Sequence, residues 1–112
     1  LGARCNMPLD GPEVPVKYAD TGKPVRRLAV ISGAGGGLFE EALAMEADCL
    51  LTGEANHHDA LDAKRLGLSI VATSHYATEF PVAAAMAQKL RAAFPAVEVL
   101  VSTANRDPFT YL

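Results

Sequence analysis

The stretch Ala72-Thr73-Ser74-His75-Tyr76-Ala77-Thr78-Glu79-Phe80-Pro81 decides how this chain is read. An apolar run from Leu68 to Thr73 ends inside it, and an Ala-rich helical pattern begins where it stops. Between the two lie an imidazole and a carboxylate, His75 and Glu79, four positions apart. On a helix that spacing puts both side chains on one face. The pair can then bind one cation together or share a proton. An H-x-x-x-E pair alone is weak evidence, because most such pairs are solvated surface residues. Its weight depends on what surrounds it.

Outward from this stretch the pattern repeats. Arg27 to Ser32 reads as a strand with little polar alternation, expected to be buried on both faces. Gly33-Ala34-Gly35-Gly36-Gly37 is a tight turn, and Leu38 to Ala47 reads as a helix with Glu40 and Glu41 near its N-terminus. Asp48 to Thr52 predicts a second strand. Asn56 is an N-cap for a helix over His57–Leu66, which Gly67 closes. Leu68 to Thr73 is the third strand, and a third helix runs from about Phe80 to Phe94, with Pro81 in its first turn and Pro95 after it. Val97 to Ser102 alternates as a fourth strand.

Strand-helix alternation from residue 25 onward predicts an α/β fold, a mainly parallel sheet of about four strands covered by helices. Ligands of such sheets collect beyond the C-terminal strand ends. The loops 33–37, 53–58 and 74–79 sit there and carry most of the polar chemistry of the chain. Residues 1–24 differ: Pro8, Pro12, Pro15 and Pro24 with Gly2, Gly11 and Gly22 punctuate them, and Val14 to Tyr18 suits at best a short edge strand. They read as a linker or as the tail of a preceding half, and 25–112 as the α/β unit.

Composition narrows the function. The 112 residues are 50% hydrophobic and 21% charged, which is globular and not disordered. The formal net charge of −3, with no basic cluster beyond Arg26-Arg27, argues against nucleic acid. No window of 18 apolar residues predicts a membrane span. Cys5 and Cys49 are far apart and form no zinc-type cluster, which points to a reducing, cytoplasmic compartment.

Three constellations compete for the chemistry. Gly33-x-Gly35 follows a strand and opens a helix, and Glu54 lies 21 positions after Gly33, where the ribose-binding acid of a dinucleotide site belongs. Leu38 occupies the third glycine position of that fingerprint, so a tight turn is the simpler reading and an anion-binding loop the next. Glu54 and the adjacent His57 and His58 can join the His75 site if neighbouring strand ends meet. His75 and Glu79 themselves suit zinc, iron, manganese or nickel. Two ligands do not make a tight site, so more must come from elsewhere in the chain, another domain or another subunit. A Ser/His/Asp hydrolase fits less well, since neither Ser32 nor Ser74 lies in a GxSxG elbow.

Taken together, G-K-P-V-R-R-L-A-V over residues 22–30, G-A-G-G over 33–36, A-D-C-L-L-T-G-E over 47–54, H-H-D-A-L over 57–61 and H-Y-A-T-E over 75–79 closely resemble the Nif-three-like dinuclear metal centre family. Many of its members are called GTP cyclohydrolase 1 type 2 homologues. The resemblance implies two related α/β halves, assembly into a toroidal homohexamer and a pair of divalent metal ions between the halves. It places metal ligands on His75 and Glu79, and the remaining ligands in an N-terminal half that these residues do not contain. It also implies that His58 lies near the metals as a proton-transfer or substrate-contacting residue, with Glu54 lining the same pocket. On this basis the expected function is a metal-dependent hydrolase, acting on a small molecule and here carrying part of a dinuclear site. The alternatives are a non-catalytic, metal-binding, ring-forming adaptor and a Rossmann-like nucleotide binder.

Overall fold

The computed structural model describes residues 15–112. Of the irregular stretch expected over 1–24, residues 1–14, Cys5 included, lie outside the described residues. Four strands form one sheet: β1 (Lys17–Ala19), β2 (Leu28–Ile31), β3 (Cys49–Thr52) and β4 (Ser69–Ala72). Four α-helices accompany them: α1 (Phe39–Ala44), α2 (His57–Arg65), α3 (His75–Glu79) and α4 (Pro81–Ala93), with a single 3-10 turn at Gly36–Leu38 leading into α1.

The spatial order is β1-β4-β3-β2. β2, β3 and β4 are parallel, in register Leu28↔Cys49↔Ser69 through Ile31↔Thr52↔Ala72. β1 runs antiparallel to β4, with Lys17 opposite Ala72. The sheet is therefore mixed, which corrects the expectation of a mainly parallel one. The correction has a physical source. Val97–Ser102 has the alternation of a strand but no hydrogen-bonded neighbour, and no strand forms there. Its link to the helical layer is the Val99 carbonyl, which accepts from the Arg91 guanidinium at 2.9 Å. The fourth strand is supplied instead by Lys17–Ala19 at the sheet edge, overlapping the short edge strand expected over Val14–Tyr18. Thr21 just beyond it holds Ser69 through its backbone N–H at 3.1 Å.

The core lies on one face of the sheet. Leu50 and Leu68 are fully buried, and Ile70, Ala63, Ala42 and Phe39 close around them from β4, α2 and α1. Burying one leucine contributes roughly 1.5–3 kcal/mol, so this cluster is what fixes the sheet against its helices. β2 departs from the expectation of burial on both faces: Ala29 and Ile31 meet the core, but Leu28 and Val30 remain 52% and 64% exposed. As the outer strand of the sheet it is covered on one side only.

Local chemistry sets the element ends. The Asn56 side chain accepts from the Asp59 N–H at 2.8 Å and starts α2. Gly67 ends it with φ +91°, a left-handed conformation that favours glycine. The Asp48 carboxylate accepts from the N–H groups of Arg26 and Arg27 at 2.9 and 2.8 Å and so pins the start of β2 to the start of β3. No helix among the described residues is long and apolar enough to cross a membrane.

Candidate metal centre

The C-terminal ends of β2, β3 and β4 lie side by side, and each is followed by a loop that contributes to one site. The loop after β4 is the shortest. Ser74 adopts an extended backbone, and its hydroxyl accepts from the Ala77 N–H at 2.9 Å, capping α3. Residues 74–79, expected as a loop, thus contain a single short helix. That helix delivers the predicted pairing: His75 Nε2 and Glu79 Oε1 are 3.2 Å apart.

The other ring nitrogen faces a second acid. His75 Nδ1 is 3.2 Å from Oε2 of Glu54, in the loop after β3. A carboxylate only accepts, so a hydrogen on Nδ1 serves this bond, and by the same rule a hydrogen on Nε2 serves the contact with Glu79. The imidazole is therefore held between two carboxylates, one on its own helix and one from the neighbouring strand end. All three side chains are about half-exposed. The hydrogen bond to Glu54 raises the His75 pKa above its ordinary 6.5, partial desolvation opposes it, and the charges of Glu79 and Glu54 add to the rise. Divalent cations compete with that proton, because a metal ligates the neutral imidazole.

The donor set suits a divalent ion. The nitrogen and oxygen facing each other across His75 and Glu79 are borderline and hard ligands, as zinc, iron, manganese and nickel accept. Glu54 has the position of an outer carboxylate that orients a ligating histidine through its second nitrogen. The set is also incomplete. Among the described residues no group of three or more His, Cys, Asp or Glu side chains is arranged to hold a metal ion.

His58 stands apart from this arrangement. It is exposed at the start of α2, where its ring meets that of His57 edge-on at a centroid distance of 5.8 Å. It is not among the residues lining the cleft beside His75. That cleft has a volume of about 490 Å³ and runs from Glu54, His75 and Tyr76 to Lys17 on β1 and to Asp107, Phe109 and Tyr111 of the C-terminal tail. Its size is within the usual range for small-molecule sites, about 300–1,000 Å³. Lys17 and the tail carry no sequence motif that marks them. Only the antiparallel placement of β1 and the return of the tail bring them to the site.

The glycine loop is committed to packing. The Gly33 N–H donates to Thr78 Oγ1 at 2.9 Å, the Gly35 N–H to Thr52 Oγ1 at 2.9 Å and the Gly36 N–H to the Glu54 carbonyl at 2.9 Å. A Cβ on Gly35 or Gly36 meets Ile31 or Ala55 at 2.5 Å. These three N–H groups are the ones a phosphate cradle needs, and all have acceptors already. The tight-turn reading accounts for Gly33, Gly35 and Gly36, while a Cβ on Gly37 meets nothing closer than Asp59 Oδ2 at 3.9 Å.

The sequence profile of Duf34/NIF3 (NGG1p interacting factor 3) matches residues 5–108. A GTP cyclohydrolase 1 type 2 homolog of Clostridium perfringens is 30% identical over 99 residues, covering 87% of this chain and 38% of that relative. A crystal structure of a Staphylococcus aureus hypothetical protein superposes with a TM-score of 0.77 at 33% identity, over 88% of this chain and 35% of that one. The structure of a Bacillus cereus protein related to NIF3 gives 0.65 at 29% identity, over 88% and 28%. The chain thus spans 28–38% of the length of these relatives. With a profile match over nearly its whole length, the chain belongs to the Duf34/NIF3 family.

Proposed function

We propose that this chain carries one side of a divalent-metal site, with His75 Nε2 and Glu79 Oε1 as ligands and Glu54 orienting His75 through Nδ1. The observation that carries the reading is the bracketing of one imidazole by two carboxylates, each at 3.2 Å, beyond the C-terminal ends of the parallel strands. The further ligands come from outside these 112 residues, within a longer polypeptide or a homohexamer, and complete a site for two ions.

The whole protein is then a metal-dependent hydrolase of the GTP cyclohydrolase 1 type 2 kind, acting on a small molecule. Bound divalent ions supply a lowered pKa for water and a polarised substrate oxygen. This chain's part is to hold and orient. Glu54 holds the ring through Nδ1 while Nε2 faces Glu79, and Lys17, Tyr76 and Tyr111 line a cleft together with His75 and Glu54. The relatives' name supports the substrate class, and the cleft supports a small molecule.

The test is formate release from GTP by the longer protein, alongside zinc and manganese binding, for the natural sequence and for His75→Ala. The expected result is loss of both with the substitution. Metal binding that is indifferent to His75→Ala sinks the ligand assignment, and metal binding without formate release selects the second reading. That reading is a non-catalytic, metal-binding, ring-forming adaptor. It is supported by large apolar side chains left on the surface, among them Val30, Met86 and Leu100 at 64%, 52% and 79% exposure. A nucleotide-binding role for the glycine loop is disfavoured by its occupied N–H groups, and titration with NAD and NADP is expected to show no binding.

A further inference from the structure

The residue between the two ligands is as tightly held as the ligands are loose. The Thr78 hydroxyl accepts from the Gly33 N–H at 2.9 Å and shares its own hydrogen between the carbonyls of Ser74 and His75, each at 3.0 Å. The Gly33 carbonyl, on the same residue, accepts from the Glu54 N–H at 2.9 Å and from Thr52 Oγ1 at 3.2 Å. One residue of the loop after β2 is therefore bonded to the loop that bears Glu54 and to the helix that bears His75 and Glu79. Glycine at this position also leaves room for the ligands. A Cβ on Gly33 meets Glu79 Oε1 at 2.5 Å and His75 Nε2 at 3.2 Å, and φ there is +70°. Gly53 closes the same knot, since its Cβ meets the Gly33 carbonyl, Thr78 Oγ1 and the Ser74 carbonyl within 2.8 Å.

We infer that Thr78 and Gly33 are positioning residues for the metal ligands: the hydrogen bond between them sets where Glu54 and Glu79 stand on either side of His75. The three acid and imidazole groups are half-exposed and reach one another from two strand ends 21 positions apart. Their own contacts, near the surface, are too weak to fix that geometry. The Thr78–Gly33 bond is partly buried and joins backbone to side chain across 45 positions, so it registers α3 against the other loops. The inference rests on the ligand reading above for its metal readout, and on geometry alone for its second readout.

The experiment compares Thr78→Val, Thr78→Ser and Gly33→Ala with the natural chain. Zinc is titrated against the isotope-labelled protein, and two-dimensional NMR reports the nuclear Overhauser contacts of the His75 ring with the Glu54 and Glu79 side chains. Valine keeps the shape of threonine and removes the hydroxyl. Thr78→Val is expected to weaken zinc binding about tenfold, as loss of an outer-shell partner does, and to weaken those contacts in the zinc-free protein. Thr78→Ser is expected to restore both. Gly33→Ala is expected to lose zinc binding with the Thr78 hydroxyl still present, which covers the case of a poorly folded valine variant. Unchanged contacts of the His75 ring with Glu54 and Glu79 together with natural zinc affinity in folded Thr78→Val overturn the inference. If the natural chain binds no zinc that His75→Ala abolishes, the ligand reading fails, and the contact readout still decides the role of Thr78.

Discussion

At Asp48 one carboxylate oxygen accepts from two successive backbone N–H groups, those of Arg26 and Arg27. Those bonds favour the charged form and hold its pKa below the ordinary 3.8, desolvation opposes them in part, and the two guanidinium charges add a smaller lowering. The sign of the consequence is fixed. A depressed folded pKa gives a stabilisation that is complete above 3.8 and is lost as pH falls from there through the lower folded value. Asp48→Asn is therefore expected to flatten the dependence of stability on pH below about pH 4, read by urea unfolding across an acid series. An unchanged acid slope counts against Asp48 as the tie between β2 and β3. Cys49 beside it shows the opposite effect: burial pushes its thiol up, in keeping with an inert core residue. At this scale the sequence was legible where chemistry is local. His75 and Glu79 announce their contact by a helical spacing. Glu54 does not, since its bond to His75 depends on which strands are neighbours. Thr78 reads as one more polar residue until the turn after β2 is seen to donate to it.

Elements were legible where two independent signals agreed. Asn56 and Gly67 bracket α2, and the apolar runs of β3 and β4 are the central strands, each paired on both edges. The same reading failed at Val97–Ser102, since alternation states which faces a strand can offer and nothing about whether a partner edge exists. β1 succeeds with three residues because β4 offers it a free edge. Two substitutions test what holds the elements. Leu50→Ala, at the fully buried centre of β3, is expected to cost about 2–5 kcal/mol in denaturant unfolding. Ser74→Ala removes the cap of α3 from a buried position and is expected to cost about 1 kcal/mol. Because α3 is a single short helix, the same substitution is expected to blur the His75–Glu79 pairing in NMR spectra. A rigid pairing in Ser74→Ala means that Thr78 alone holds the helix.

For the whole molecule, the decisive quantity is the number of ligands. Two donors at the end of a short helix, half in water, bind a divalent ion weakly, and structural or catalytic sites need three or four protein ligands. His75 and Glu79 are at the strand ends in contact, with Glu54 already bonded to the outer nitrogen, so little of the ordering cost of this half remains. On the reading proposed above the rest of the coordination shell lies elsewhere, and this chain spans 38% of the first relative. A longer polypeptide of this family, carrying these residues, is expected to retain two divalent ions through desalting. Residues 1–112 are expected to retain almost none, while still showing weak, His75-dependent zinc shifts in a direct titration. Elemental analysis of both preparations separates the outcomes. Stoichiometric metal on the 112-residue chain means that it assembles a complete site by itself, through copies of the same chain, and the partition of ligands proposed for the two halves then fails. Metal absent from both preparations leaves Glu54, His75 and Glu79 as a hydrogen-bonded cluster with no ion to hold.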